Sequence, residues 1–241
     1  MPERRAPIDR AGIAQPRLRF LWDEWQVSAH YTDIDEVLLA RVTPLCPRAQ
    51  RALTIAIAEW IVYRFEGLDP DPDPLLFLEA AWAANLDTRY AHDIEIDDAD
   101  WGGPVRGPLS MALTFVADAL FAEEADDQPA MNPCWAARFA RHVLPDTRSF
   151  DPWLDAVVDR LVPLYPALPE AARDWFDPSR NLGPPVPPDV FDTTVPFDPA
   201  RTDEHLARFL AMLDPRSNPF LCTPAEMRAD GFAGRPYRWP A

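Results

Sequence analysis

Lysine is missing altogether: all 23 basic side chains are arginine. That removes Schiff-base chemistry through a lysine amine. The bias itself is first a matter of coding composition. Glycine is scarce, at 8 residues, while proline reaches 29. Such a chain has stiff connectors and sharp element boundaries and is not a flexible linker. The three cysteines, Cys46, Cys134 and Cys222, are far apart and odd in number. They offer neither a zinc spacing nor a disulfide framework, so three buried free thiols in a reducing compartment are expected. No apolar run approaches the roughly 18 residues of a membrane span, and Met1 to Leu21 lack the apolar core of a signal peptide. These absences lead to the expectation of a soluble, cytoplasmic protein. Missing too are a nucleophile elbow, a Walker or dinucleotide glycine spacing, an EF-hand and a Glu-x-x-His pair. No cofactor or metal is called for.

What is present is the material of a core. Of 241 residues 48% are apolar, too many for a disordered chain. Helix starts recur in one style, a capping residue followed by proline: Asp73-Pro74, Asn132-Pro133, Asp151-Pro152 and Thr223-Pro224. The capping oxygen meets an orphan N–H, and proline lacks the one that would be orphaned anyway. Thr223 and Glu226 also have capping-box spacing. Helices are predicted over 33–41, 47–66, 74–90 and 108–124. The second of these is apolar on almost every side and therefore central. Phe150, Trp153, Leu154, Val157, Val158 and Leu161 form a one-sided stripe, as do Leu206, Phe209, Leu210 and Leu213. Residues 178–199, with Pro184, Pro185, Pro187 and Pro188, read as an ordered arm laid over the helices. Arg19 to Tyr31 hint at a strand. The expected fold is all-α: one domain spanning 1–241, a bundle of about seven to nine helices, with 1–31 as a small N-terminal appendage at most.

Charge is distributed unevenly. The formal net charge is −16, and residues 53–130 alone hold 17 carboxylates against 3 arginines. A surface of that sign disfavours nucleic acid and anionic membranes. Two runs dominate: Asp69, Asp71 and Asp73, and then Asp93, Glu95, Asp97, Asp98 and Asp100. An unbroken helix of about 17 residues between them would hold them roughly 25 Å apart. Solubility alone accounts for such loops; so does capture of a basic partner by long-range attraction and arginine or lysine pairing. If any cation tucks against the acidic loop from within, Arg106, in the Trp101–Pro108 stretch beside it, is the candidate. Trp101, in the Trp101–Pro108 turn, is the expected apolar anchor.

Candidate chemistry is thin. Glu59, Glu79 and Asp118 lie on apolar helices and, if they converged with His92, would supply acid–base or metal chemistry. Ser110, Thr114 and Asp118, at four-residue steps, also read as the narrow solvent stripe of a buried helix. Cys134 sits near a helix start, where a thiolate is stabilised. Acidic composition without catalytic motifs resembles, as a class, bacterial immunity proteins, which bind and occlude a toxin. That likeness is compositional and transfers no residues. It implies a basic protein partner contacted by Asp69, Asp71, Asp73, Asp93, Glu95, Asp97, Asp98, Asp100 and Trp101. The alternative is an enzyme with a carboxylate or metal site between helices.

Overall fold

The structure, a computed structural model, describes residues 6–92, 101–121, 130–174 and 176–239. Among these residues there are nine α-helices and no β-strand: α1 (Ala6–Ala11), α2 (Glu36–Val42), α3 (Pro47–Arg64), α4 (Asp73–Ala84), α5 (Gly103–Phe121), α6 (Met131–Val143), α7 (Phe150–Leu164), α8 (Thr202–Met212) and α9 (Pro224–Ala229). The chain is an all-α bundle with a proline-rich arm, as its patterning implies.

Helix α3 is the axis. It packs on α4, α5 and α6, and nearly every side chain from Ala49 to Arg64 is buried. A helix enclosed by three others has no wet face, so its sequence shows no polar stripe. Each large apolar side chain sealed here contributes about 1.5–3 kcal/mol relative to exposure. Helices α7 and α8 lie outside and bury single stripes: Phe150, Trp153, Leu154, Val157, Val158 and Leu161 on α7, and Leu206, Phe209 and Leu210 on α8. On α5, Ser110 and Thr114 are half-buried and Asp118 is exposed, which is the narrow solvent stripe.

The arm is ordered. Val186, Val190 and Phe191 are buried, and short 3-10 turns at Pro188–Phe191 and Pro199–Arg201 carry the chain round corners. Arg160 on α7 fastens it by donating to the carbonyls of Val190, Asp192 and Val195. The C-terminal tail packs as well, with Tyr237 against Tyr90 at 5.3 Å and the Trp239 Nε1–H on Asp203 at 2.8 Å.

Several local expectations are corrected. Arg19 to Tyr31 contain no strand; they form an irregular segment with a 3-10 turn at Val27–His30. Helix α4 stops at Ala84, because Asp87 breaks away and caps a separate 3-10 turn at Thr88–Tyr90 through the Arg89 amide. The unbroken rod of about 17 residues is therefore a helix of 12, and the far acidic run lies outside the described residues. Helix α5 begins at Gly103 and runs through Pro108. The Glu24 carboxylate accepts from the Gly103 amide at its start. Of the four cap-and-proline starts, only Thr223-Pro224 shows both the side-chain cap and the capping box.

Residues 6–31 are stitched to the bundle. Ile8 and Ile13 join the core. Arg64, fully buried at the end of α3, donates to the carbonyls of Val143, Gln15 and Arg17 at 3.3, 2.7 and 2.9 Å. Burial holds its pKa below the ordinary arginine value, with Arg19 adding to the effect.

Candidate functional site: an acidic loop, an arginine and two exposed apolar side chains

Helix α3 ends at Arg64, and Gly67, at φ +77°, turns the chain in the left-handed region that favours glycine. The Asp-Pro-Asp-Pro-Asp run that follows organises itself. Asp69 accepts from the Asp71 amide and Asp71 from the Asp73 amide, each at 3.0 Å. The intervening prolines have no N–H, so each carboxylate reaches two residues on. The remaining oxygens meet one cation. Arg106 Nε donates to Asp69 Oδ2 and Nη2 to Asp71 Oδ2, both at 2.8 Å. Its guanidinium also lies 5.2 Å over the Trp101 ring.

Arg106 is thus the internal partner of the loop, and Asp69 and Asp71 are turned inward. The Asp69 side chain is only 8% exposed. Burial pushes its carboxyl up, but the Arg106 hydrogen bond, the Asp71 amide and the Arg106 charge outweigh it and hold it below the usual carboxylate range. Asp73 is raised instead, by burial and by the negative charge of Asp71. Trp101, expected as the exposed anchor, is half-buried and packs against the core beneath Arg106. Asp93, Glu95, Asp97, Asp98 and Asp100 lie outside the described residues.

The exposed apolar groups on this side come from another segment. Trp25 is 95% exposed and Leu21 85%. Their loop is fixed at three points. Glu24 holds the start of α5, the Leu21 carbonyl accepts from His142 Nε2 at 3.0 Å, and the Trp22 ring sits against Gly107. A Cβ at position 107 would overlap that indole. Trp25 therefore stands beside the start of α5, and that helix follows Asp100 by three residues in sequence. Sequence reading missed it: Trp22 and Trp25 alternate with Asp23 and Glu24 in a stretch with no helical period, which does not tell an inward indole from an outward one.

The enzyme residues do not gather. Glu59 accepts from Trp82 Nε1 at 2.8 Å inside the core, while Glu79 accepts from Asn218 Nδ2 at 2.9 Å. Among the described residues no group of three His, Cys, Asp or Glu side chains is arranged to hold a metal. One juxtaposition hidden in the sequence does emerge. Cys222 Sγ lies 3.6 Å from His92 Nδ1, and His92 Nε2 lies 3.9 Å from Glu226. Thiol, imidazole and carboxylate follow in nucleophilic order, yet the set is not activated. Cys222 is buried, its thiol is raised by burial, Glu226 and Asp230, and Glu226 already accepts the Thr223 amide of its own capping box. Cys134 is no better: burial, with Asp35 adding, pushes its thiol up to about 12, so the thiolate expected at that helix start does not form. All three cysteines are free and buried.

No protein-family model, curated protein or solved structure matches the chain. What the fold defines is a class, an all-α bundle carrying an acidic segment, and the functional reading rests on its surface.

Proposed function

We propose that the protein is a binding module of the immunity type, which captures a basic protein, a toxin being the class in view, and occludes it. The observation that carries this reading is Trp25, whose indole stands 95% exposed beside exposed Leu21 on a loop pinned at both ends. A rigid aromatic in water is costly to display and is the commonest centre of a binding hot spot. The acidic run Asp93, Glu95, Asp97, Asp98 and Asp100, which precedes α5 in sequence, supplies long-range attraction by its charge, and Asp73, on its own loop, adds to it. Asp69 and Asp71 support that loop through Arg106, and Trp101 supports Arg106, so these three act as its foundation. Binding by this arrangement is fast and weakens with salt.

The test is retention of a protein from host lysate on the immobilised chain, eluted by a salt ramp. The reading expects one stoichiometric basic protein, released by salt, and its loss when Asp97, Asp98 and Asp100 are replaced by asparagine. Retention that survives the triple replacement and high salt contradicts it.

A further inference from the structure

Within this acidic chain lies a pocket whose lining is free of carboxylates. It measures about 200 Å³ and is lined by Ala29, His30, Arg138, Arg141 and His142. Helix α6 supplies both arginines and His142 from one face, since 138, 141 and 142 stand three and four residues apart. The 3-10 turn at Val27–His30 supplies the other wall.

The two imidazoles are stacked, with ring centres 3.8 Å apart and planes within 10°. His142 is held in place by the edges of Phe20 at 5.4 Å and by Phe139 at 6.3 Å. Its Nε2 faces the Leu21 carbonyl, which only accepts, so that nitrogen carries the proton. Burial lowers the pKa of His142; the Leu21 carbonyl pulls it back up, while His30 and Arg138 lower it further. The His142 imidazole therefore resists protonation unless a negative charge joins it.

The arginines keep donors in reserve. By contrast, Arg64 and Arg160 each make three bonds to carbonyls, and Arg106 spans two carboxylates. Arg138 makes a single long contact with Asp33, at 3.4 Å. Arg141 holds Asp151 at 2.8 Å through Nε and Asp35 at 3.4 Å through Nη1. Asp33, Asp35 and Asp151 are the carboxylates that face this group, and none of them lines the pocket. Arg138 is 45% exposed, so an incoming ligand reaches it from solvent.

We propose that this pocket is an anion site for a phosphoryl group, taken either as inorganic phosphate or as the head of a small phosphate ester. The unused guanidinium donors of Arg138 and Arg141 match tetrahedral oxygens, and the His30 imidazole faces them from the opposite wall. The volume is below that of a drug-sized ligand site and suits a headgroup. A tetrahedral oxyanion can accept from both guanidiniums at once through separate oxygens, which a two-oxygen monocarboxylate does less well. The site is independent of the partner-binding reading.

The four histidines make the test simple. Imidazole Cε1–H resonances are followed by NMR near neutral pH while inorganic phosphate, glycerol phosphate or acetate is added. Phosphate is expected to shift His30 and His142 saturably, leaving His92 and His205 as internal controls. Saturation by phosphate alone identifies the free anion as ligand, and tighter saturation by glycerol phosphate identifies an ester; both support the site. Arg138→Gln should weaken binding about tenfold, and His30→Gln, which removes the outer ring, gives a second reading should the first variant fold poorly. No saturable shift in the millimolar range, equal affinity for acetate, or undiminished binding in both folded variants overturns the assignment.

Discussion

Replacing Arg106 by glutamine tests the architecture of the acidic loop. The substitution removes two 2.8 Å charge-assisted hydrogen bonds, to Asp69 and Asp71, and the cation over Trp101. Breaking a buried pair costs about 3–5 kcal/mol, whereas an exposed pair contributes under about 1 kcal/mol. Here the Asp69 side chain is 8% exposed but Arg106 is 34% exposed. Discounting for that solvent access places the loss for Arg106→Gln at about 2 kcal/mol. In a chain of this size that is about 4–8 °C in Tm. The pH dependence has a definite sign. Asp69 titrates below its ordinary value in the folded protein. A depressed carboxyl adds stability above the unfolded pKa of about 3.9 and loses it as pH falls through the folded value. The gap between wild type and Arg106→Gln is therefore full at neutral pH and narrows below about pH 4. Urea unfolding followed by circular dichroism at neutral pH and at about pH 3.5 reads both quantities. A loss under about 0.5 kcal/mol, or the same loss at both pH values, would show that Arg106 does not hold the loop through Asp69.

Other expectations follow from single residues. Arg64→Met keeps the apolar stem but leaves the carbonyls of Val143, Gln15 and Arg17 unmet; a loss of about 2–4 kcal/mol is expected, with faster amide exchange in residues 12–20, and unchanged exchange there would contradict the stitching role. Gly107→Ala places a methyl against the Trp22 ring; overpacking of about 1–3 kcal/mol exceeds the roughly 1 kcal/mol gain in helix propensity, so thermal unfolding should come earlier, and a higher Tm would disprove the close contact. The three thiols should react with a disulfide reagent at least about tenfold more slowly in the folded protein than in urea, because all three are buried and raised in pKa; rapid native labelling of Cys222 would revive the thiol–imidazole pair as a nucleophile.

Much of the fold was legible because hydrophobic period reports burial directly. The stripes on α7 and α8 and the all-round apolar α3 each predict their place in the bundle. Helix ends were harder. The pattern from Leu75 to Tyr90 continues across Asn85 and Asp87, and the break shows in one tertiary and one local contact: Asn85 Nδ2 donates to the Arg48 carbonyl, and Asp87 accepts from Arg89 two residues on. Gly103, Pro104 and Pro108 look like a corner, yet α5 runs through them because Glu24 caps its start and Trp22 packs on Gly107. Arg106 was expected against the acidic run beside it in sequence; its partners, Asp69 and Asp71, lie 37 and 35 positions away, a pairing that only the fold brings about. The identity of the exposed tryptophan was not. Trp101 and Trp25 both lie in irregular segments, and only the arginine stacked on one of them separates the covered ring from the open one. The stacked His30 and His142 are 112 positions apart, a pairing that spacing does not reveal.

Capture of a basic protein by this acidic chain, with Trp25 as anchor, is decided by the affinity for the retained protein of wild type and Trp25→Ala at low and at moderate salt. Trp25→Ala should fold with unchanged Tm and bind at least about tenfold more weakly at both salt concentrations, while salt alone slows association of the wild type. Equal affinity of the two proteins, or a wild-type affinity that does not respond to salt, would contradict it.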